Sequence, residues 1–135
     1  TGNASSMGRM DVSGNQGDKS YGGAASDATR IIIAGGRTKT NTNGNRTDQI
    51  EYFTYGSSGN TSDFGDLVQA NYYCTGTTSN STRALFSGGD AGGSLRSYID
   101  FVTIQTTADA GDFGDLVPHT GSGPRQLHAA YSGQA

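Results

Sequence analysis

Two identical frames, Asp63-Phe64-Gly65-Asp66-Leu67 and Asp112-Phe113-Gly114-Asp115-Leu116, set carboxylates in matched pairs. Paired carboxylates can hold Ca²⁺, with Asn60 or Asp109 as a further oxygen ligand. No complete Asp-x-Asp-x-Asp-Gly loop accompanies them, however, and a glycine lies inside each pair. That setting favours turns in which the carboxylates cap nearby backbone N–H groups. His119 and His128 are the only histidines, and neither has a Cys or second His at metal-ligand spacing, which speaks against zinc. There is no Gly-x-Ser-x-Gly elbow, and nothing in the spacing relates Cys74 to a histidine as nucleophile and base. The expectation is therefore a non-enzymatic chain without a cofactor.

The remaining polar and aromatic groups carry less. Cys74 is the single cysteine, so no intrachain disulfide framework exists. After Tyr72-Tyr73 it reads as a small buried apolar residue of a strand, with an intermolecular disulfide or a reactive thiol as the alternative. Asn3, Asn45, Asn60 and Asn80 each open an Asn-x-Ser/Thr sequon, as chance allows in a chain so rich in these residues. Tyr52, Tyr55, Tyr72, Tyr73 and Tyr98 could stack on a sugar at a receptor-binding face. Their position among other apolar strand residues favours core packing instead.

The elements that must position these groups follow from composition and pattern. Gly is 22 of 135 residues and charged residues are 16%, a mixture that suits short strands and many turns rather than a helical bundle. The net charge of −3 with scattered Lys and Arg argues against nucleic acid as a partner, since phosphate binding needs a clustered basic face. The longest apolar run, Ile31-Ile32-Ile33-Ala34, is far short of the ~20 residues of a membrane-spanning helix.

Residues 11–28 read as a weak strand with long turns. The run 29–36, apolar, β-branched and closed by Gly35-Gly36, predicts a buried strand. A polar loop with the turn signal Asn43-Gly44 follows, then a second strand over 49–55. Ile50 and Tyr52 point one way and Phe53 and Tyr55 the other, so that strand belongs to a sheet covered on both faces. Next come the Phe64-x-x-Leu67 frame, a strand-like 71–74 and a Ser/Thr loop over 75–82. The order then recurs. Residues 82–89 match 29–36, closing on Gly88-Gly89, and 97–104 match the strand of 49–55. Lead-ins Ser58-Gly59-Asn60-Thr61 and Thr107-Ala108-Asp109-Ala110 precede the two frames. Ser6-Met7-Gly8-Arg9-Met10 is a worn third copy, and the frames start 57 and then 49 residues apart. Such a spacing suits one propeller blade or a similar multi-strand unit.

This order of elements resembles the kelch repeat, in which an apolar strand ends in Gly-Gly, an apolar-acidic strand follows, and an aromatic-x-x-Leu element precedes an Arg and the next strand. Gly35, Gly36, Gly88 and Gly89 stand at its double glycines. Phe64 and Leu67, then Phe113 and Leu116, stand where the family usually has Trp and Leu. Arg83 and Arg125 stand at its Arg. The departures are the absence of Trp, the worn copy at Met7 and Met10, and Gly133-Gln134 where a double glycine belongs. The resemblance implies an all-β fold of antiparallel kelch-like propeller blades spanning 1–135: a partial unit over 1–30, units over 31–83 and 84–128, and a partial unit over 129–135. His128 then takes a position often filled by a packed structural histidine.

Thr/Ser-Gly-Asn, Asp-Phe-Gly-Asp-Leu and Ser/Asn-x-Thr-Arg together also look like long repeat proteins of marine bacteriophages, cyanophages especially. That likeness implies a structural or adhesion module of a virion, such as a tail fibre or capsid decoration, located on the virion or outside the cell. It would contact other virion proteins and surface glycan. The alternative is a carbohydrate- or protein-binding propeller of a secreted bacterial protein. Propellers close with about 4–8 blades, and two to three leave open edges. The sequence therefore reads as a segment of a longer chain or as a subunit completed by other copies of itself, with the strand around 127–131 as donor and residues 1–30 as acceptor.

Overall fold

A computed structural model describes residues 22–37, 46–71, 73–77 and 81–117. The worn repeat at Met7 and Met10, the Asn43-Gly44 turn, Tyr72, His119, Arg125, His128 and the donor strand at 127–131 lie outside the described residues, as do the sequons at Asn3, Asn45 and Asn80.

The described residues are all-β and contain no helix. Eight strands succeed one another: β1 (Gly23–Ser26), β2 (Arg30–Ala34), β3 (Thr47–Thr54), β4 (Ser62–Asn71), β5 (Thr75–Thr77), β6 (Arg83–Ser87), β7 (Tyr98–Thr103) and β8 (Gly111–Asp115). They form two four-stranded antiparallel meanders, β1-β2-β3-β4 and β5-β6-β7-β8. Residues 75–77, expected in a loop, instead form the edge strand β5 against Leu85, Phe86 and Ser87. Each sheet opens one strand before the sequence period does. The period over 31–83 starts within β2 and ends by supplying β5 to the following sheet.

The local reasons are readable. Arg30-Ile31-Ile32-Ile33-Ala34 stays extended because three consecutive β-branched side chains are restricted at χ1 and pack well on a pleated surface. The strand stops where Gly35 and Gly36 take φ of 64° and 104°; Gly88 and Gly89 repeat the corner after β6 at 65° and 105°. Glycine enters that region without the Cβ clash that most other residues meet there.

The Phe-Gly-Asp-Leu frames, suggested as turns by the sequence, lie on strands: Asp63 to Leu67 fall within β4, and Asp112 to Asp115 run to the end of β8. Gly65 and Gly114, at φ of 144° and 139°, sit where the register of β3–β4 and of β7–β8 shifts. A glycine bulge lets the strand bend and continue.

Cross-strand register fixes the faces. Ile32 opposes Tyr52 and Ala34 opposes Ile50, and these residues share one core with Phe64 and Leu67 of β4. From the second sheet the same core takes Ala84 and Val102, which oppose each other, with Phe86 and Ile104. Burying each large apolar side chain contributes roughly 1.5–3 kcal/mol. The strand 49–55, expected to be apolar on both faces, buries Ile50 on the core side and the acid Glu51 on the other.

The internal repeat superposes opposite faces of the two sheets onto that core. The sequence match pairs Ile32 with Leu85, Ile50 with Ile99, Tyr52 with Phe101 and Phe64 with Phe113. Yet the second sheet turns inward the other set, Ala84, Phe86 and Val102. The sheets therefore stack front to back. Phe64 is 3% exposed, whereas Phe113 is 54% exposed.

The stacking leaves a measurable mark at the paired glycines. A Cβ on Gly65 would lie 2.5 Å from the Ala108 carbonyl oxygen, whereas one on Gly114 meets nothing within 4 Å. Gly114→Ala is expected to lower stability by about 1 kcal/mol through its backbone conformation alone. Gly65→Ala should lose roughly 1–3 kcal/mol more from the clash. Denaturant unfolding of both variants reads this directly, and equal losses would contradict the seating of the lead-in loop on Gly65.

Candidate functional site

The polar groups of this protein converge on the seam between the sheets. Asp100, opposite Phe86 in β7, points into it and accepts a hydrogen bond from the Val68 backbone N–H at 3.2 Å. Arg30 lies 4.4 Å over the Tyr52 ring and donates through Nη1 to the Ile104 carbonyl at 3.1 Å. Tyr52 in turn meets Phe64 edge-on, with centroids 5.9 Å apart. The lead-in of the second frame ties to the first frame: the Asp66 N–H donates to Asp109 Oδ1 at 3.1 Å, and the Ala110 N–H to the Asp66 carbonyl at 2.8 Å.

A second junction lies where the chain passes between sheets. Gly36 N–H donates to the Asn71 carbonyl at 2.7 Å, and Asn71 Nδ2 donates to the Gly88 carbonyl. One asparagine thus joins both double-glycine corners. Gly35 and Gly89 must lack side chains here, because a Cβ on either would lie 2.8 Å or less from Asn71 atoms. Tyr73 turns at φ 58°, so Cys74 sits in the link rather than in a strand. It is buried, with Sγ 3.4 Å from the Ala34 carbonyl, which suits a packed thiol better than an exposed nucleophile.

At the far end Asp27 accepts from the backbone N–H groups of Thr29 and Arg30, both at 2.7 Å. Gln105, from the second sheet's side, donates to Asp27 and, at 2.7 Å, to the Thr29 hydroxyl. Burial pushes the Asp27 carboxyl up, but the N–H groups of Arg30 and Thr29, the Gln105 amide and the Thr29 hydroxyl outweigh it and hold the group at about 2. Asp27 thus caps a turn outside the repeated frames, and within them Asp112 caps a nearby backbone N–H as expected. Among the frame aspartates, Asp112 accepts from the Gly114 N–H at 2.9 Å and Asp115 from the Ser97 hydroxyl at 2.8 Å.

The repeat positions occupy distinct places. Gly35, Gly36, Gly88 and Gly89 form the two corners, and Phe64 and Leu67 lie buried in the seam. Arg83 heads β6 and lies 5.1 Å over Phe101, which meets Phe113 at 6.2 Å. Arg83, Phe101 and Phe113 thus copy Arg30, Tyr52 and Phe64, one sheet further on and on an outward face. Leu116 is half-buried. The structure does not gather these residues into a catalytic group. Among the described residues no three His, Cys, Asp or Glu side chains are placed to hold a metal ion, and no helix is long and apolar enough to cross a membrane. Asn60 and Tyr55 are exposed. A cavity of about 10 Å³ in the seam is bordered by Asn71, Cys74, Arg96 and Asp100. That is about the least space that admits one water molecule, too small for a sugar or a peptide side chain.

Asn71, Arg30 and the buried acid Asp100 are the functional residues that sequence reasoning missed. Asn71 carries no sequence signal. Arg30 and Arg83 both follow a Thr at the head of matched strands, and Glu51 and Asp100 both follow an Ile. Those spacings were a usable signal for the last two positions. Compared with known proteins, the chain matches no family model and no curated sequence.

Burial pushes the Asp100 carboxyl up from its ordinary 3.8 to about 6; the Val68 N–H opposes this and the nearby Asp112 charge adds to it. Between those two values the folded chain keeps a proton that the unfolded chain has lost, so this group makes stability fall as pH rises across that window. Asp100→Asn cannot ionise. Its melting temperature is expected to exceed that of the parent above pH 6, with the decline between about pH 4 and 6 removed. A thermal-melt series by circular dichroism checks this, and an unchanged slope would place Asp100 in water.

Proposed function

We propose that this chain is a non-enzymatic structural or adhesion module whose four-stranded meanders act as blades of a kelch-like β-propeller in a virion component. Its work is assembly and surface contact rather than turnover. The observation that carries the reading is the front-to-back stacking of two equivalent sheets. A face sealed in the first sheet recurs uncovered in the second, as in an array that continues. Four-stranded antiparallel sheets packed in this sense are the unit of a propeller. The double glycines and the arginine–aromatic pairs stand at matching points of each unit, which supports the kelch likeness of the sequence.

The non-catalytic part of the proposal rests on where the polar groups go. The Asp100, Arg30 and Asn71 side chains each bond a backbone group across the seam, and the Asp66 backbone bonds the second lead-in. Groups fixed in this way hold sheets together and are not poised for a substrate. Low charge and abundant Ser, Thr, Asn and Gly fit a particle surface exposed to solvent, and the marine-phage likeness of the frames supports a virion as that particle.

Peptide mass spectrometry of purified virus particles from the material that yields this sequence tests the proposal. Trypsin should release residues 84–96 and 97–125, the stretches between Arg83, Arg96 and Arg125. Recovery of both with the particle fraction is the expected outcome. Recovery only from cell-free secreted protein would replace the virion reading with that of a secreted bacterial binding propeller.

A further inference from the structure

We infer that the outward face of the second sheet, centred on Phe101 and Phe113, is a docking surface for the first sheet of a second copy of this chain, stacked head to tail. The inference rests on the stacked-blade reading above and adds the partner and the faces.

Within one chain the corresponding face is fully engaged. Phe64 and Leu67 are 3% and 5% exposed beneath the second sheet, and Arg30 reaches across to the Ile104 carbonyl. On the second sheet the same constellation stands open. Phe113 is 54% and Val117 91% exposed, Arg83 is exposed, and Leu85, Ile99, Phe101 and Leu116 are half-buried. Contiguous apolar surface of this kind marks an interaction site. The seat for a lead-in loop is open as well. The space over Gly65 is taken by Ala108, whereas the space over Gly114 holds nothing within 4 Å.

What fits this face is set by what its twin accepts. The twin takes the back of a sheet bearing Ala84, Phe86 and Val102, with a lead-in of the Thr107-Ala108-Asp109-Ala110 kind beside it. The back of the first sheet offers the equivalent parts. Ile31 opposes Phe53 and Ile33 opposes Glu51 across β2–β3, and Ile31, Ile33 and Phe53 are half-buried. The matching lead-in is Ser58-Gly59-Asn60-Thr61. Tyr55, 47% exposed, stands where Ile104 does, at the rim of that face. Glu51, the counterpart of Asp100, is 1% exposed and already enclosed, so the contact uses the aliphatic residues and the rim rather than the acid. Joining unlike faces makes the contact heterologous, able to propagate into rings or filaments.

Sedimentation velocity of the 135-residue chain across a concentration series tests this. The expected result is a mass that grows with concentration. Phe113→Asp and Tyr55→Lys, both at exposed side chains, should each keep the parental melting curve and weaken association roughly 30-fold or more, as for a central interface residue. Mixed one to one, the two variants should form dimers and stop there, since each retains one intact face. A parent chain that stays monomeric at every concentration overturns the inference. So does a Phe113→Asp variant that assembles like the parent, or a Tyr55→Lys variant that pairs with itself, which would mean like faces meet. None of these results bears on the recovery of the peptides from particles, so the two readings fail separately.

Discussion

The structure depends on one contact, the insertion of the Phe64 and Leu67 face of the first sheet against Ala84, Phe86, Val102 and Ile104 of the second. A four-stranded meander of short, glycine-rich strands has too little apolar surface to stand alone in water. Stacking supplies the missing cover, and every other feature serves it. The double glycines let the chain turn sharply enough to bring Asn71 against both corners. Gly65 lets the second lead-in lie directly on β4.

Polar groups decide the alignment of the stack. Apolar faces slide at little cost, whereas hydrogen bonds to fixed carbonyl and amide groups do not. Arg30 to Ile104, Val68 to Asp100, Asp66 to Asp109 and Asn71 to Gly88 tie the seam along its length. Asp100 is the costly member, since burial disfavours its charge. Asp27 is the opposite case, a carboxylate surrounded by enough donors to ionise readily. The same side chain therefore destabilises or stabilises according to how many N–H groups surround it.

Because equivalent sheets meet through opposite faces, the contact is not self-complementary. A front-to-back stack presents one further front until its rotation closes a ring. In this chain that front carries Arg83, Phe101 and Phe113, a copy of the sealed Arg30, Tyr52 and Phe64. In the seam, the Asp100 carboxylate and the Arg30 guanidinium bond backbone groups of the facing sheet, and the cavity beside them has space for about one water.

The amino-acid sequence by itself determined the strands and their recurrence. The isoleucine run, the Ile-acid-aromatic strand and the double glycines are local signals, because χ1 restriction and positive φ act within a few residues. The all-β class and the repeat order follow from them. The sequence misplaced the Phe-Gly-Asp-Leu frames, since a glycine bulge inside a strand and a glycine in a turn look alike until the partner strand is present. It missed β5, whose few residues are held only by β6, and it put Cys74 in a strand that ends at Asn71. Tertiary structure alone decided that Phe64 is buried and Phe113 exposed, although the two frames are letter for letter the same. Burial belongs to what lies across the sheet, and that neighbour is set by the order of units along the chain, not by the residues within one.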